Sequence, residues 1–152
     1  MTTSALSLTE TTRLNLQLDT SPGLPKLPHI PSEIDDDVLT EEQQEANLLH
    51  VALWIVEWDL ENFDMALYHQ AWGSWRGRML TGKPIEGKEA FGDSGTIHCI
   101  AGFAQVMAGE VGFSDWPICA GYCLLGGEAE SHFHESNEEG LGFLKEVIAR
   151  NS

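Results

Sequence analysis

Two sets of side chains in this chain have the types and spacing for chemistry. The first is His98 and Cys99, in the run Gly95-Thr96-Ile97-His98-Cys99-Ile100-Ala101-Gly102-Phe103-Ala104. Its tight Gly-Thr entry and the apolar residues at 97, 100, 101 and 104 predict a helix beginning at Thr96. A thiol near a helix amino end faces unpaired backbone N–H groups and the positive pole of the macrodipole. Both favour thiolate, with His98 or a folded-back His132 as base. Two facts oppose that reading: neighbouring helical positions point about 100° apart, and free cysteine is commonly a small, inert, buried hydrophobe. The second set is Cys119 and Cys123, at i and i+4 on one helix face, followed within a dozen residues by His132 and His134. These are zinc-type ligands. The close Cys-x-x-Cys knuckle is missing, however, and His132 and His134 lie two apart, awkward for one metal on a helix. The structural alternative puts the two cysteines in the core and the histidines in a turn.

Other candidates are less ordered. Glu128, Glu130, Glu135, Glu138 and Glu139 offer carboxylates for a hard cation or for acid and base work, but nothing fixes their spacing. No EF-hand loop, phosphate-binding glycine loop, HExxH, GxSxG or dinucleotide fingerprint is present, so each enzyme class with a legible signature loses weight. Of the tryptophans 54, 58, 72, 75 and 116, Trp54 reads as core. Trp72 and Trp75, in a glycine-bearing turn, read as interface anchors.

Charge narrows the partners. Twenty-four acids against eight bases give −16, which repels phosphates and anionic lipid, so the expected partner is a basic protein and not nucleic acid or membrane. Nine acids and two bases precede Leu48, and eight acids and two bases follow Ser94. The nearly balanced middle holds Arg76, Arg78, Lys83 and Lys88, a candidate positive patch for orienting a homo-oligomer against the acidic arm, with a solvated loop as the alternative. Three cysteines and no charged-then-apolar leader point to a reducing compartment, the cytoplasm. The longest apolar run, Leu48 to Val56, is interrupted by His50 and falls short of the roughly 18 to 20 residues of a membrane span.

The elements that must position these residues divide at residue 40. Residues 1–39 read as an extended or disordered arm. Arg13 to Asp19 alternates polar and apolar like a half-buried strand, the only strand signal in the chain, and Pro22, Pro25, Pro28 and Pro31 recur every third residue. Such an arm would offer Leu14, Leu16 and Leu18 as a strand added to a sheet edge. Residues 40–152 read as a helical domain. Thr40-Glu41-Glu42-Gln43 is a capping box opening a mostly buried helix that ends near Trp58-Asp59. Asn62 or Asp64 begins a short helix through Met65 and Leu67, and Arg76 to Asp93 is a polar connection. Three helices follow, from Thr96, from the Pro117 turn to Gly126-Gly127, and from the Ser136-Asn137-Glu138-Glu139 capping box. The fold expected is all-α, a compact small helical bundle with an extended N-terminal arm.

The Gly95 to Ala104 run, with Cys123-Leu124-Leu125-Gly126-Gly127-Glu128-Ala129 and His132-Phe133, resembles a group of small uncharacterised bacterial and phage proteins. These carry a Gly-Thr-x-x-Cys-x-Ala-Gly helix and a later Leu-Gly-x-x-x-Ala segment. The resemblance covers roughly residues 45 to 150, matches at Cys99 and Gly102, and implies a compact helical domain without bringing a catalytic assignment. Its phage association favours an accessory protein in host cytoplasm or virion. The sequence therefore points to a non-enzymatic acidic accessory protein, an inhibitor or polyanion mimic or an assembly component. It has no catalytic residue, cofactor or metal, and Leu14, Leu16, Leu18, Trp72 and Trp75 as binding residues. The alternative is a zinc protein or thiol enzyme built on Cys99, His98, Cys119, Cys123, His132 and His134.

Overall fold

The computed structural model describes residues 6–20, 24–35, 37–65, 69–71 and 96–152. The all-α expectation holds. The helices are α1 (Leu8–Leu18), α2 (Glu41–Leu53), α3 (Ile100–Met107), α4 (Pro117–Leu125), α5 (Gly127–Glu130) and α6 (Asn137–Arg150). They are joined by one small antiparallel ribbon of β1 (His69–Ala71) and β2 (Thr96–His98), in which His69 pairs with His98 and Ala71 with Thr96. Among the described residues no helix is long and apolar enough to cross a membrane.

Local chemistry starts the longer helices as the sequence implies. Thr40 Oγ1 accepts from the Gln43 amide at 3.1 Å while Gln43 Oε1 accepts from the Thr40 amide at 3.0 Å. Ser136 and Glu139 repeat the exchange at α6, so both helices begin with orphan N–H groups satisfied. Pro117 occupies the first turn of α4, and Gly126, at φ +98°, ends it in a conformation that side chains rarely adopt. Helix α2 is the axis of the bundle, buried from Asn47 to Leu53 without a break. It packs against α1, α4 and α6, then widens into a π turn, Trp54–Trp58. There the Trp54 indole N–H donates to Asp59 and Trp58 stacks on Trp54, with ring centres 6.0 Å apart.

Three expectations are corrected. Arg13 to Asp19 is not a strand: Ser7 caps α1 through the Glu10 amide at 3.0 Å, and the helix turns Thr9, Thr12 and Leu16 inward. The Thr9 amide and hydroxyl donate to the carbonyls of Asn151 and Ile148, both at 3.2 Å. A lone strand would have left its backbone groups without such partners. Nor does a helix begin at Thr96. Thr96 to His98 is committed to the ribbon, and α3 starts four residues later. Finally, the turn Leu60–Asn62 is 3₁₀, and Phe63 bridges to His98 where a helix through Met65 was expected. The polar connection from Arg76 to Asp93, with its four basic residues, lies outside the described residues.

The arm has a helical first part and, over residues 24–35, a stretch without helix or strand. It shares the core: Leu16, Leu24 and Leu27 belong to the same apolar cluster as Leu48, Phe103 and Leu144. Its anchor is Asn47, fully buried, whose Oδ1 accepts from the His29 amide at 3.0 Å. The Asn47 Nδ2 group donates to the carbonyls of His29 (2.9 Å) and Leu124 (3.0 Å). The Leu27 amide donates to the Met107 carbonyl, and the Cys123 thiol to the Asp35 carbonyl.

Two consequences can be measured. Asn47→Ala removes three hydrogen bonds and strands backbone partners, so stability should fall by about 2 to 3 kcal/mol in urea unfolding. Trypsin should then cut at exposed Lys26 faster than in the wild type. His50, on α2, is buried with Nε2 unpartnered, and burial pushes its pKa down to about 4 against the upward pull of Asp19. The unfolded chain keeps the ordinary value near 6.5 and takes up the proton first. Stability is therefore full above pH 6.5 and declines as pH falls toward 4. Urea unfolding at pH 7 and pH 4.5 should show a loss of about 2 to 3 kcal/mol that His50→Leu does not share.

Candidate functional site

Four carboxylates from residues 37 to 128 line one groove. Residues 37–39, the start of α2, the end of α4 and the start of α5 enclose about 490 Å³, lined by Asp37, Glu41, Glu45, Glu128 and Tyr122 over Leu39 and Leu125. Gly126 permits the close approach on which this depends, since a Cβ there would stand 3.1 Å from Gln44 Oε1. Gln44 in turn donates to the Cys123 carbonyl at 3.1 Å, fastening α2 to the end of α4.

One guanidinium already sits beside the groove. Arg150 donates to Glu45 at 2.9 and 2.7 Å and to Glu128 at 2.9 and 2.7 Å, a fork on each carboxylate. Burial pushes Glu45 up, but the hydrogen bonds from Arg150 and Asn151 and the guanidinium charge prevail and hold it below the usual carboxylate value. Glu128 is lowered mainly by its bond from Arg150, and Arg150 is raised by both carboxylates. Two of the lining carboxylates thus jointly hold one cationic side chain of the same molecule. Asp37 and Glu41 extend the acidic lining beyond that pair. Sequence reading missed this site, because Glu45 and Arg150 are 105 positions apart and no local pattern links them.

The thiol chemistry is not assembled. Cys99 is the N-cap of α3, and its Sγ accepts from the Gly102 amide at 3.3 Å. Burial raises its pKa to about 11 in spite of that bond, so the helix-end effect is outweighed by desolvation. His98 lies on β2, 1% exposed, with its ring edge-on to Phe103 at 4.9 Å. The zinc set does not converge either. Among the described residues no group of three or more His, Cys, Asp and Glu could hold a metal ion. Cys119 is exposed whereas Cys123 is buried. The ring of His132 stacks on Phe143 at 3.9 Å and bonds to Glu135, and His134 is exposed. The downstream acids are also distributed: Glu139 completes a cap, Glu135 meets His132, and Glu128 meets Arg150.

Of the binding residues expected from sequence, Leu16 is in the core, Leu14 and Leu18 are exposed, and Trp72 and Trp75 lie outside the described residues. No family model, curated protein or solved structure matches this chain.

Thiol titration checks the cysteine assignments. Ellman's reagent on the native protein should modify Cys119 rapidly and leave Cys99 and Cys123 unmodified until denaturant is added. Fast modification surviving in Cys119→Ser would contradict the burial of the other two.

Proposed function

We propose that this chain is a non-enzymatic, acidic accessory protein, of the phage or mobile-element type, that works by docking on a basic protein surface. There it acts as an inhibitor in place of a polyanion or as a component of an assembly. The observation that carries the reading is how the charge is distributed. Of the four basic residues among those described, Arg13 is forked to Glu57 and Arg150 to Glu45 and Glu128, while Lys26 and Lys145 are exposed. What the surface offers outward is therefore mostly acid, with Asp37 and Glu41 lining a groove whose chemistry suits a guanidinium or ammonium and exposed Glu42 next to Glu41 in the first turn of α2. Such a surface accelerates encounter with a basic partner and repels nucleic acid. Occupancy is the whole mechanism: no bond is made or broken, and inhibition follows from covering the partner's anion-binding surface.

A labelled oligo-arginine peptide tests this with the intact protein. Binding should weaken as salt rises from 50 to about 300 mM. It should drop about tenfold in the variant Asp37→Asn/Glu41→Gln/Glu42→Gln, whose thermal unfolding should match the wild type. Undiminished binding by that variant would remove the groove from the interface, and no binding at low salt would overturn the docking reading.

A further inference from the structure

Helix α1 buries two threonines and one leucine and leaves three of its four leucines exposed. Thr9, Thr12 and Leu16 face the core, whereas Leu8, Leu14 and Leu18 are 41%, 44% and 67% exposed. Steps of three, three and four residues align Leu8, Thr11, Leu14 and Leu18 along one side of the helix, and Thr11 is exposed with them. Leu6, 56% exposed, adds a further leucine just before the first turn. Exposed leucines are unremarkable singly; a file of them over an eleven-residue helix is a docking surface.

We infer that this face receives a basic amphipathic helix of a protein partner. The inference rests on the acidic-docking reading above and adds where the partner lies and what it presents. Arg13, the basic residue of α1, is drawn into a fork with Glu57 at 2.9 and 2.8 Å. The acids of α1 and its cap are Glu10 and Asp19, on a chain of net charge −16. An occupant bearing negative charge brings like charges together, and that disfavours both a second copy and an anionic lipid surface. A basic amphipathic helix matches both the exposed leucines and the acidic surroundings. Its apolar side packs along Leu8, Leu14 and Leu18, and lysines or arginines at its margins meet the surrounding acid.

Two synthetic peptides separate this from simple charge attraction: an amphipathic Leu/Lys helix of about five turns, and a control of equal charge with every leucine replaced by glutamine. By fluorescence anisotropy the full-length protein should bind the Leu/Lys helix at least tenfold more tightly than the control. Leu14→Ser/Leu18→Ser should reduce that to the control's affinity with unchanged circular dichroism and melting. Equal binding of the Leu/Lys helix by wild type and variant overturns the face assignment; salt-sensitive binding of the control then leaves the acidic-docking reading standing. Failure of both peptides overturns both. A wild-type dimer that the variant splits in sedimentation, or phosphatidylserine vesicle binding that it abolishes, overturns the assignment in favour of a second copy or lipid.

Discussion

One buried amide, Asn47, fixes the relation between the first part of the chain and everything after it. A primary amide has the donor and acceptor of a peptide group, and Asn47 uses both on the backbone of a single residue, His29, as a neighbouring strand would. That two-point contact sets the register of residues 24–35. Shifted by one residue, the segment would turn Lys26 toward the site that Leu27 fills and break the Leu27 to Met107 bond. The third bond, to the Leu124 carbonyl, satisfies an acceptor at the carboxyl end of α4. Asn47 thus makes three elements mutually dependent. Its burial is tolerable because the three bonds are made together, and each lost partner would leave a desolvated polar group.

Where local chemistry decides a boundary, the sequence is legible. Thr40 with Gln43, Ser136 with Glu139, and Pro117 with Gly126 mark helix ends through contacts spanning a few residues, and the structure puts the ends there. Where a distant partner decides, it is not. Alternation in Arg13 to Asp19 is a strand pattern, yet Thr9 has acceptors 139 and more positions away that favour a helix, and only Leu16 of the three leucines is needed in the core. Thr96 to His98 has the small-then-apolar look of a helix entry, but β1 claims its backbone. That displacement of four residues changes the chemistry of Cys99. A residue inside the first turn would point its thiol away from the helix axis, whereas an N-cap thiol is folded back onto Gly102 and enclosed by the core. The groove was illegible for the same reason, because carboxylates from residues 37 to 128 meet only through the packing of α2 on α4.

The charge distribution also has a structural side. With −16 on the chain, self-repulsion works against compaction, and Arg13 and Arg150 are placed where they relieve it across long sequence separations. Arg13 joins α1 to the π turn after α2, and Arg150 joins α6 to α2 and α5. Each pair is half exposed and contributes modestly by itself, but both guanidiniums make paired bonds to carboxylates, the geometry in which such contacts are strongest.

These constraints meet at the end of α6, and that junction links the two surfaces argued to face a partner. The Asn151 carbonyl takes the amide of Thr9 on the inner side of α1, while the Asn151 side chain donates to Glu45. Arg150, one residue earlier, holds Glu45 and Glu128 beside the groove. The leucine file is on the opposite side of α1 from Thr9, about 10 Å away across one helix diameter. Thr9, Asn151, Glu45 and Arg150 thus form one hydrogen-bonded chain from the inner side of α1 to the groove. Because α1 packs on α2 and Glu45 belongs to α2, the proposed leucine contact and the proposed groove contact are carried by the same pair of packed helices.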